Sequence, residues 1–354
     1  MTIHTFEVSS MLTNKDYYKI QLELKTKDPS KWKATNDGMQ YWGLSDKGIL
    51  INMHQIKKKG FYSYSIIYRI SARRVMDNND FVGLFDTEDY YDLEVKVNGL
   101  LKDKCSTLPK LKKCTLKRVD FCINAVLDNQ DQVKAYIKTA KRSNVPSKLE
   151  IYQQYDKKSK RKKPTRDDYT VYSREYVAVS IYNKQRQMKK AKKGVYPDSE
   201  IKRAENIVRI EIRCMEGKIH ALRKKYNIKT ISSFMRASRK IGDELYRYYL
   251  SKMFGKGIIC TLKEALACID MSEYSKKSIR LLKEFIEDAN NFRSASETIK
   301  LYKCIYSKNT IKRILDLFDG IDTNYVTITN ADAKLFGRGG IPTPLELYED
   351  VVER

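Results

Sequence analysis

Three short segments of the sequence combine acidic, basic and hydroxyl side chains with a regular alternation of apolar residues. They are LKRVDFCIN at 116–124, VAVSIYNK at 177–184 and IVRIEIRC at 207–214. Residues two apart lie on the same face of an extended strand, so each segment predicts one apolar and one polar face. The polar faces carry Asp120, Tyr182 and Glu211. If the three strands are neighbours in one antiparallel sheet, a tyrosine and two carboxylates share a surface.

These residue types suit the cleavage of a phosphodiester bond by a tyrosine. Carboxylates bind hard divalent cations such as Mg²⁺ or Mn²⁺, so Asp120 and Glu211 are the candidate metal ligands. A bound cation polarises a phosphate oxygen, while the phenol of Tyr182 attacks phosphorus as the nucleophile. Basic side chains offset the charge that builds up on the phosphate. The candidates are Lys184, as a second catalytic residue, and Arg118, Arg209 and Arg213, as DNA contacts.

A structural alternative stays open for these three strands and another for His54. The same alternation is typical of solvent-facing strands whose charged residues form cross-strand ion pairs. His54, in the segment INMHQI, lies two residues from Asn52 and so shares its face. A lone histidine on a strand is either structural or, here, a third metal ligand.

The charge balance predicts a polyanionic partner. Lys and Arg number 69 against 44 Asp and Glu, a net charge of +25, and nucleic acid is the partner that such an excess favours. A membrane surface is the weaker alternative, because no single amphipathic helix gathers the basic residues. The sequence has no apolar run of roughly 18 residues and no signal-peptide pattern at its start. We therefore expect a soluble, cytoplasmic protein that does not bind membranes.

The pattern of periodicity predicts an α+β protein with a helical C-terminal part. Segments 2–9, 17–24, 48–56 and 61–71 predict strands, and segments 87–103 and 129–143 predict helices. The basic segment 155–168, YDKKSKRKKPTRDD, predicts a mobile, solvated loop. After residue 215 the periodicity is helical throughout. The basic segment contributes four candidate DNA contacts, Lys160, Arg161, Lys162 and Lys163.

The C-terminal segment SKNTIKRILDLFDGIDTNYVTIT, 307–329, places a basic helix before a β-rich YVTIT. This order fits a winged helix-turn-helix, in which Lys312 and Arg313 would enter a major groove, and it fits an ordinary solvated helix equally well. We predict a catalytic DNA-nicking domain at 1–226 and a helical DNA-binding domain at 227–354.

The ordered set RVDFCIN, VSIYNK and VRIEIR resembles the motifs of rolling-circle replication initiators of small plasmids and phages, in particular the Rep_trans type and its phage relatives. The segment YSIIYRISARRV, 64–75, also resembles an early strand of phage initiators. The resemblance covers about residues 50–225 and implies an antiparallel, RRM-like sheet of the HUH-endonuclease kind. It implies Asp120 and Glu211 as metal ligands and Tyr182 as nucleophile beside Lys184. The chain departs from many such enzymes in lacking a His-hydrophobe-His pair, since Asn52, Met53 and His54 stand at the candidate place.

The resemblance implies a metal-dependent site-specific endonuclease that binds double-stranded origin DNA and single-stranded DNA. Tyrosine attack would leave a 5′-phosphotyrosine and a free 3′-hydroxyl that primes synthesis. Three alternatives remain: a conjugative relaxase of the same chemistry, a non-catalytic DNA-binding replication protein, and an RNA-binding protein. The origin sequence, a host helicase as partner, homodimer formation and the working metal are all left open.

Overall fold

A computed structural model describes residues 2–58, 60–156, 161–164, 168–191, 195–321, 323–337 and 340–353. The protein is an α+β structure with one large antiparallel sheet and a helical C-terminal region, which confirms the predicted fold class at that level. All seven cysteines are free thiols, as expected. Among the described helices, none is both long and apolar enough to cross a bilayer.

The strands and helices follow one another in a mixed order along the chain. The strands are β1 (Thr2–Leu12), β2 (Trp32–Thr35), β3 (Gly38–Tyr41), β4 (Ile49–Lys58), β5 (Phe61–Ser71), β6 (Phe85–Asp86), β7 (Thr115–Val126), β8 (Glu150–Ile151), β9 (Gln153–Asp156), β10 (Arg161–Pro164), β11 (Asp168–Tyr172), β12 (Val177–Asn183), β13 (Ile207–Cys214), β14 (Ile259–Cys260) and β15 (Gly340–Ile341). The helices are α1 (Asn14–Lys27), α2 (Ala72–Met76), α3 (Tyr90–Lys104), α4 (Gln130–Ala140), α5 (Lys184–Lys189), α6 (Asp198–Arg203), α7 (Glu216–Lys225), α8 (Ile231–Phe254), α9 (Leu262–Met271), α10 (Lys276–Asn291), α11 (Ala295–Tyr302), α12 (Lys308–Phe318), α13 (Asn330–Leu335) and α14 (Pro344–Glu353).

The strand order of the large sheet is β2-β3-β4-β5-β1-β7-β13-β12-β11-β8, with β6 paired to β1. The strands β7, β13 and β12 are therefore consecutive neighbours, which is the condition on which the sequence argument for a shared surface depended. The chain also divides into two compact units that are discontinuous in sequence. Unit 1 comprises 1–122, 174–177 and 212–243, and unit 2 comprises 123–173, 178–211 and 244–354. The sequence had instead suggested a single boundary after residue 226.

Unit 1 contains the long antiparallel pairs β4–β5 and β5–β1. Helix α1 begins after Thr13, whose side chain accepts a hydrogen bond from the backbone N–H of Asp16, a common N-terminal cap. Its buried residues Tyr17, Ile20 and Leu24 recur at helical spacing. The strand predicted for 17–24 is therefore wrong. The prediction relied on the β-branched and aromatic content of the segment, whereas its helical period and the cap at Thr13 determine the structure.

Unit 2 contains the helices α9 to α12. In their core, the ring of Phe285 contacts the rings of Tyr302, Phe318 and Tyr325. The segment YVTIT, 325–329, forms no strand and has only an isolated bridge, from Ile328 to Thr261. The predicted wing is therefore absent: these residues are mostly buried and pack against the helices instead of pairing as a hairpin.

Parts of the basic segment 155–168 form strands. The strands β9 and β10 pair antiparallel, with Arg161 opposite Asp156. The prediction of a loop is wrong for 161–164, where β10 forms. Three of the predicted DNA contacts, Arg161, Lys162 and Lys163, lie on β10, while Lys160 lies outside the described residues.

Candidate active site

Tyr182 lies near the end of β12, in unit 2, with Asp168 of β11 directly opposite it. The strand alternates as predicted, because Val179 and Ile181 are completely buried while Tyr182 is half-buried. The tyrosine therefore sits on the polar face of its strand and keeps part of its ring accessible.

The phenol of Tyr182 has a carboxylate partner on the adjacent strand. Its hydroxyl donates a hydrogen bond to Oε2 of Glu211 at 3.2 Å, and Glu211 is only 4% exposed. A carboxylate within hydrogen-bond reach of a phenol is placed to accept its proton. An adjacent base is one of the ways in which a weak hydroxyl nucleophile is activated. Tyr182 and Glu211 thus place a hydroxyl and a proton acceptor on neighbouring strands of unit 2.

The polar face of β13 in unit 2 is buried and does not face solvent. Arg209 is 0% exposed, and its Nε donates to Oδ1 of Asn124 on β7 at 2.7 Å. Burial of an arginine requires hydrogen-bonded partners, and the amide of Asn124 supplies one. The alternative of solvent-facing ion pairs is therefore wrong for Arg209 and Glu211.

Lys184 does not share the face of Tyr182, which corrects the prediction for its position. The strand ends at Asn183, whose side chain accepts a hydrogen bond from the backbone N–H of Arg186 and caps α5. Lys184 is consequently the first residue of that helix. It is 2% exposed, and its ammonium group donates to Oε1 of Gln187 at 3.1 Å. The alternation rule fails at 184 because an asparagine cap starts a helix there.

Asp120 lies on β7 in unit 1 and is held by two arginines. Arg118 donates from Nε to Oδ1 at 2.8 Å and from Nη2 to Oδ2 at 2.5 Å, a bidentate contact. Arg213 of β13 adds a hydrogen bond from its Nε to Oδ1 at 3.1 Å. The carboxylate is 1% exposed. Both of its oxygens are thus engaged by guanidinium donors.

The charged cluster of unit 1 extends over four neighbouring strands. Glu7 of β1 accepts from Nη1 of Arg118 at 3.2 Å and from Nε of Arg69 on β5 at 2.6 Å. Burial alone would lower the pKa of Arg118, but its hydrogen bonds to Asp120 and the charge of that carboxylate raise the pKa. Arg118 therefore stays protonated. We call the set Arg69, Glu7, Arg118, Asp120 and Arg213 the arginine cluster.

The donor set around Asp120 does not fit a divalent cation in this arrangement. A cation needs carboxylate oxygens as ligands, and Arg118 and Arg213 already donate to both oxygens of Asp120. Two positive guanidinium groups at the same carboxylate also oppose a third positive charge. The cluster suits an anion, such as a phosphate, better than a metal ion. The two predicted metal ligands also belong to different units, Asp120 to unit 1 and Glu211 to unit 2.

His54 is not a companion of Asp120. It pairs with Ser65 of β5, which pairs with Met11 of β1, whereas Asp120 pairs with Thr5 of β1. These registers separate His54 from Asp120 by about 20 Å along the strands and about 14 Å across them. His54 instead contacts a carboxylate oxygen of Asp37 at 2.8 Å. The assignment of His54 as a third ligand beside Asp120 is therefore wrong.

The remaining predicted DNA contacts lie on the surface or outside this region. Lys312 and Arg313 are both exposed on α12. Sequence reasoning missed Glu7, although Thr5, Glu7 and Ser9 alternate on β1 in the way that placed the other polar residues. It also missed the capping role of Asn183. Asparagine directly before a new apolar period is a helix-start signal.

Comparisons with protein-family models, with curated proteins and with solved structures find no match to this chain.

Proposed function

We propose that this protein is a tyrosine-dependent DNA-nicking enzyme that initiates rolling-circle replication. The observation that carries the proposal is the hydrogen bond from the Tyr182 hydroxyl to Glu211. It supplies a nucleophile and an adjacent proton acceptor on neighbouring strands. The net charge of +25 supports a nucleic-acid substrate.

In the proposed reaction Tyr182 transfers its phenolic proton to Glu211 as its oxygen attacks the phosphorus of a phosphodiester. A bond forms between the tyrosine oxygen and phosphorus, and the bond from phosphorus to the 3′ oxygen breaks. The leaving 3′ oxygen takes up a proton from solvent, and Glu211 later releases to solvent the proton that it accepted. The products are a 5′-phosphotyrosine and a free 3′-hydroxyl, which can prime synthesis. The phosphodiester energy is kept in the new ester, so no external energy source is required.

Basic residues serve binding in this proposal. Arg118 and Arg213 of the arginine cluster are proposed to favour a bound phosphate. Arg209 is completely buried and donates to Asn124, so the prediction of Arg209 as a DNA contact is wrong. The exposed Lys312 and Arg313 of α12 are proposed to contact duplex DNA at the origin, and the residues of β10 to follow the DNA backbone. A cytoplasmic location belongs to the same proposal, whereas a host helicase and a homodimer are left open.

Mg²⁺ or Mn²⁺ is the proposed cofactor, and when bound it would polarise the scissile phosphate. Glu211 is the candidate ligand whose carboxylate faces the nucleophile. Asp120 could bind the cation only if Arg118 or Arg213 no longer donated to its carboxylate. Omission of the metal is therefore an informative arm of the experiment.

The experiment incubates the protein with single-stranded oligonucleotides from its own replicon, with Mn²⁺ or with a chelator, and analyses the products on a denaturing gel with peptide mapping. We expect a covalent DNA adduct mapped to Tyr182 and none with Tyr182→Phe, which lacks the attacking oxygen. Tyr172→Phe, on the adjacent strand β11, is the matched control and should form the adduct normally. An adduct that forms equally with the chelator would remove the metal from the proposal. An adduct on another tyrosine would overturn the assignment of Tyr182.

A non-catalytic DNA-binding protein is the second candidate. It is favoured by the arginine cluster, in which Asp120 is engaged in ion pairs as in a structural network. Persistent DNA binding with no adduct from any oligonucleotide would establish this candidate. A conjugative relaxase would give the same adduct, but with oligonucleotides from a transfer origin.

A further inference from the structure

A group of tyrosines in unit 1 forms a preassembled aromatic surface where β4 ends and β5 begins. Tyr64 is 8% exposed, and its ring contacts three others, with ring centroids at 4.9 Å for Tyr17, 5.9 Å for Tyr18 and 6.4 Å for Tyr62. The buried rings therefore support two outer ones. Tyr18 is 46% exposed and Tyr62 is 50% exposed.

Further apolar side chains extend this surface. Phe61, next to Tyr62 at the start of β5, is 60% exposed, and Met11 near the end of β1 is 68% exposed. Together with Tyr62 and Tyr64 they line an open groove of about 490 Å³. Large apolar side chains exposed together usually mark an interaction site. We call Tyr18, Phe61 and Tyr62 the aromatic platform.

Exposed lysines surround the platform. Lys15, Tyr18 and Lys19 follow helical spacing on the exposed face of α1. Lys57 is exposed and lies directly opposite Tyr62 in the pairing of β4 with β5. The nearest acid on α1, Asp16, is engaged with the capping residue Thr13. The surface thus combines aromatic rings with positive charge.

We infer that the aromatic platform binds single-stranded nucleic acid by stacking bases on its rings while the lysines contact phosphates. Rings for the bases and cations for the backbone are the two elements of single-strand binding. A second copy of this chain fits less well, because a twofold contact through this surface would bring identical lysines together. The proposal does not require cleavage. Under the proposed function the strand is single-stranded DNA, held at a place distinct from Tyr182.

The test measures fluorescence anisotropy of labelled oligodeoxythymidine, roughly 15 nucleotides long, a length that single-strand sites commonly span. All proteins carry Tyr182→Phe, so that cleavage does not contribute. The variant is Phe61→Ala with Tyr62→Ala. We expect affinity to fall about tenfold for each ring removed. Tyr91→Ala is the matched control, because Tyr91 is 75% exposed on α3 of the same unit, and it should bind like the parent protein.

An abasic oligonucleotide of the same length separates stacking from charge. It keeps the phosphates and lacks the bases, so the double variant should bind it as well as the parent protein does. Equal losses on both oligonucleotides, or no loss on oligodeoxythymidine, would overturn the proposal. A variant that binds normally but loses self-association would show that the platform is a contact between copies instead.

A second variant keeps the ring and reports contact directly. Tyr62→Trp should fold as the parent does, and its added fluorescence should be quenched by oligodeoxythymidine and not by the abasic strand. Absence of that quenching at saturating oligonucleotide would also contradict stacking at Tyr62. None of these binding measurements uses the nicking reaction. A result against base stacking on the aromatic platform is therefore distinguishable from a result against the nickase proposal.

Discussion

Asp120 and Glu211 each lie on the polar face of an alternating strand, but their side chains have different hydrogen-bond partners. Asp120, in unit 1, accepts hydrogen bonds from Arg118 and Arg213. Glu211, in unit 2, accepts one from the phenol of Tyr182. Both carboxylates are nearly inaccessible to solvent. The comparison shows that alternation along a strand identifies the face on which a carboxylate lies, whereas the neighbouring strands determine its chemistry.

The two partners predict opposite roles. Guanidinium groups stay charged at any pH at which a protein is folded, so Asp120 has a permanent counter-charge and no proton to accept from Arg118. A phenol gives up its proton when it becomes a nucleophile, so under the proposed function Glu211 would accept that proton from Tyr182. We therefore expect substitutions of Glu211 to affect reaction rate and substitutions of Asp120 to affect stability.

The largest effect is expected for Glu211→Gln. The amide oxygen can still accept the hydrogen bond from Tyr182, but the side chain no longer takes up a proton at neutral pH. Loss of a general base typically lowers a rate by about 10²- to 10⁴-fold. The measurement is the single-turnover rate of adduct formation, together with oligonucleotide affinity, which should be unchanged.

Glu205→Gln is the matched control for that measurement, because Glu205 is an exposed carboxylate of the same unit. It should react at the rate of the parent protein. If Glu211→Gln also reacted at that rate, Glu211 would not be the proton acceptor, and the contrast between the two carboxylates would disappear.

Asp120→Ala should be the most destabilising change in the arginine cluster. It leaves Arg118 and Arg213 without their shared carboxylate, and breaking a buried ion pair by removing one partner costs about 3–5 kcal/mol. Urea denaturation would measure the loss in free energy of unfolding. Glu216→Ala is the control, because the ion pair of Glu216 with Lys117 has a side chain 66% exposed and should contribute about 0–1 kcal/mol.

A small loss with Asp120→Ala, similar to that with Glu216→Ala, would contradict a structural role for the arginine cluster. It would indicate that Arg118 and Arg213 find other partners readily. Breaking the ion pairs of Asp120 so that it can bind a cation would then cost little free energy, which would support the prediction of Asp120 as a metal ligand.

The sequence could predict much of the sheet that holds these residues. The alternation of 116–124, 177–184 and 207–214 was enough to identify β7, β12 and β13 as strands, with Tyr182 and Glu211 on their polar faces. That the strands of Tyr182 and Glu211 are adjacent is a finding of the structure. Alternation works there because a buried face imposes period two on every residue of a strand. It failed at Lys184, where the cap Asn183 starts a helix.

The outer members of the arginine cluster could not be predicted, because they come from distant parts of the chain. Glu7 and Arg69 reach the arginine cluster through the register of β1 with β5, which depends on strand order and not on local pattern. The same limit applies to His54, whose residue type fits a metal site although its strand lies far from Asp120. The winged alternative for 325–329 is wrong for a different reason: β-propensity reflects side-chain packing and burial more than an intrinsic backbone preference.

Arg69→Ala should have the smallest effect and tests whether the arginine cluster is one cooperative network. The side chain of Arg69 is 49% exposed, and its partner Glu7 keeps the hydrogen bond from Arg118 when Arg69 is removed. An exposed ion pair contributes about 0.2–1 kcal/mol, and added salt should screen that contribution further. Urea denaturation at low and high salt would measure it against Asp120→Ala. An isolated surface ion pair cannot produce a salt-independent loss as large as that of Asp120→Ala. Such a loss would therefore mean that Arg69, Glu7 and Arg118 stabilise Asp120 cooperatively.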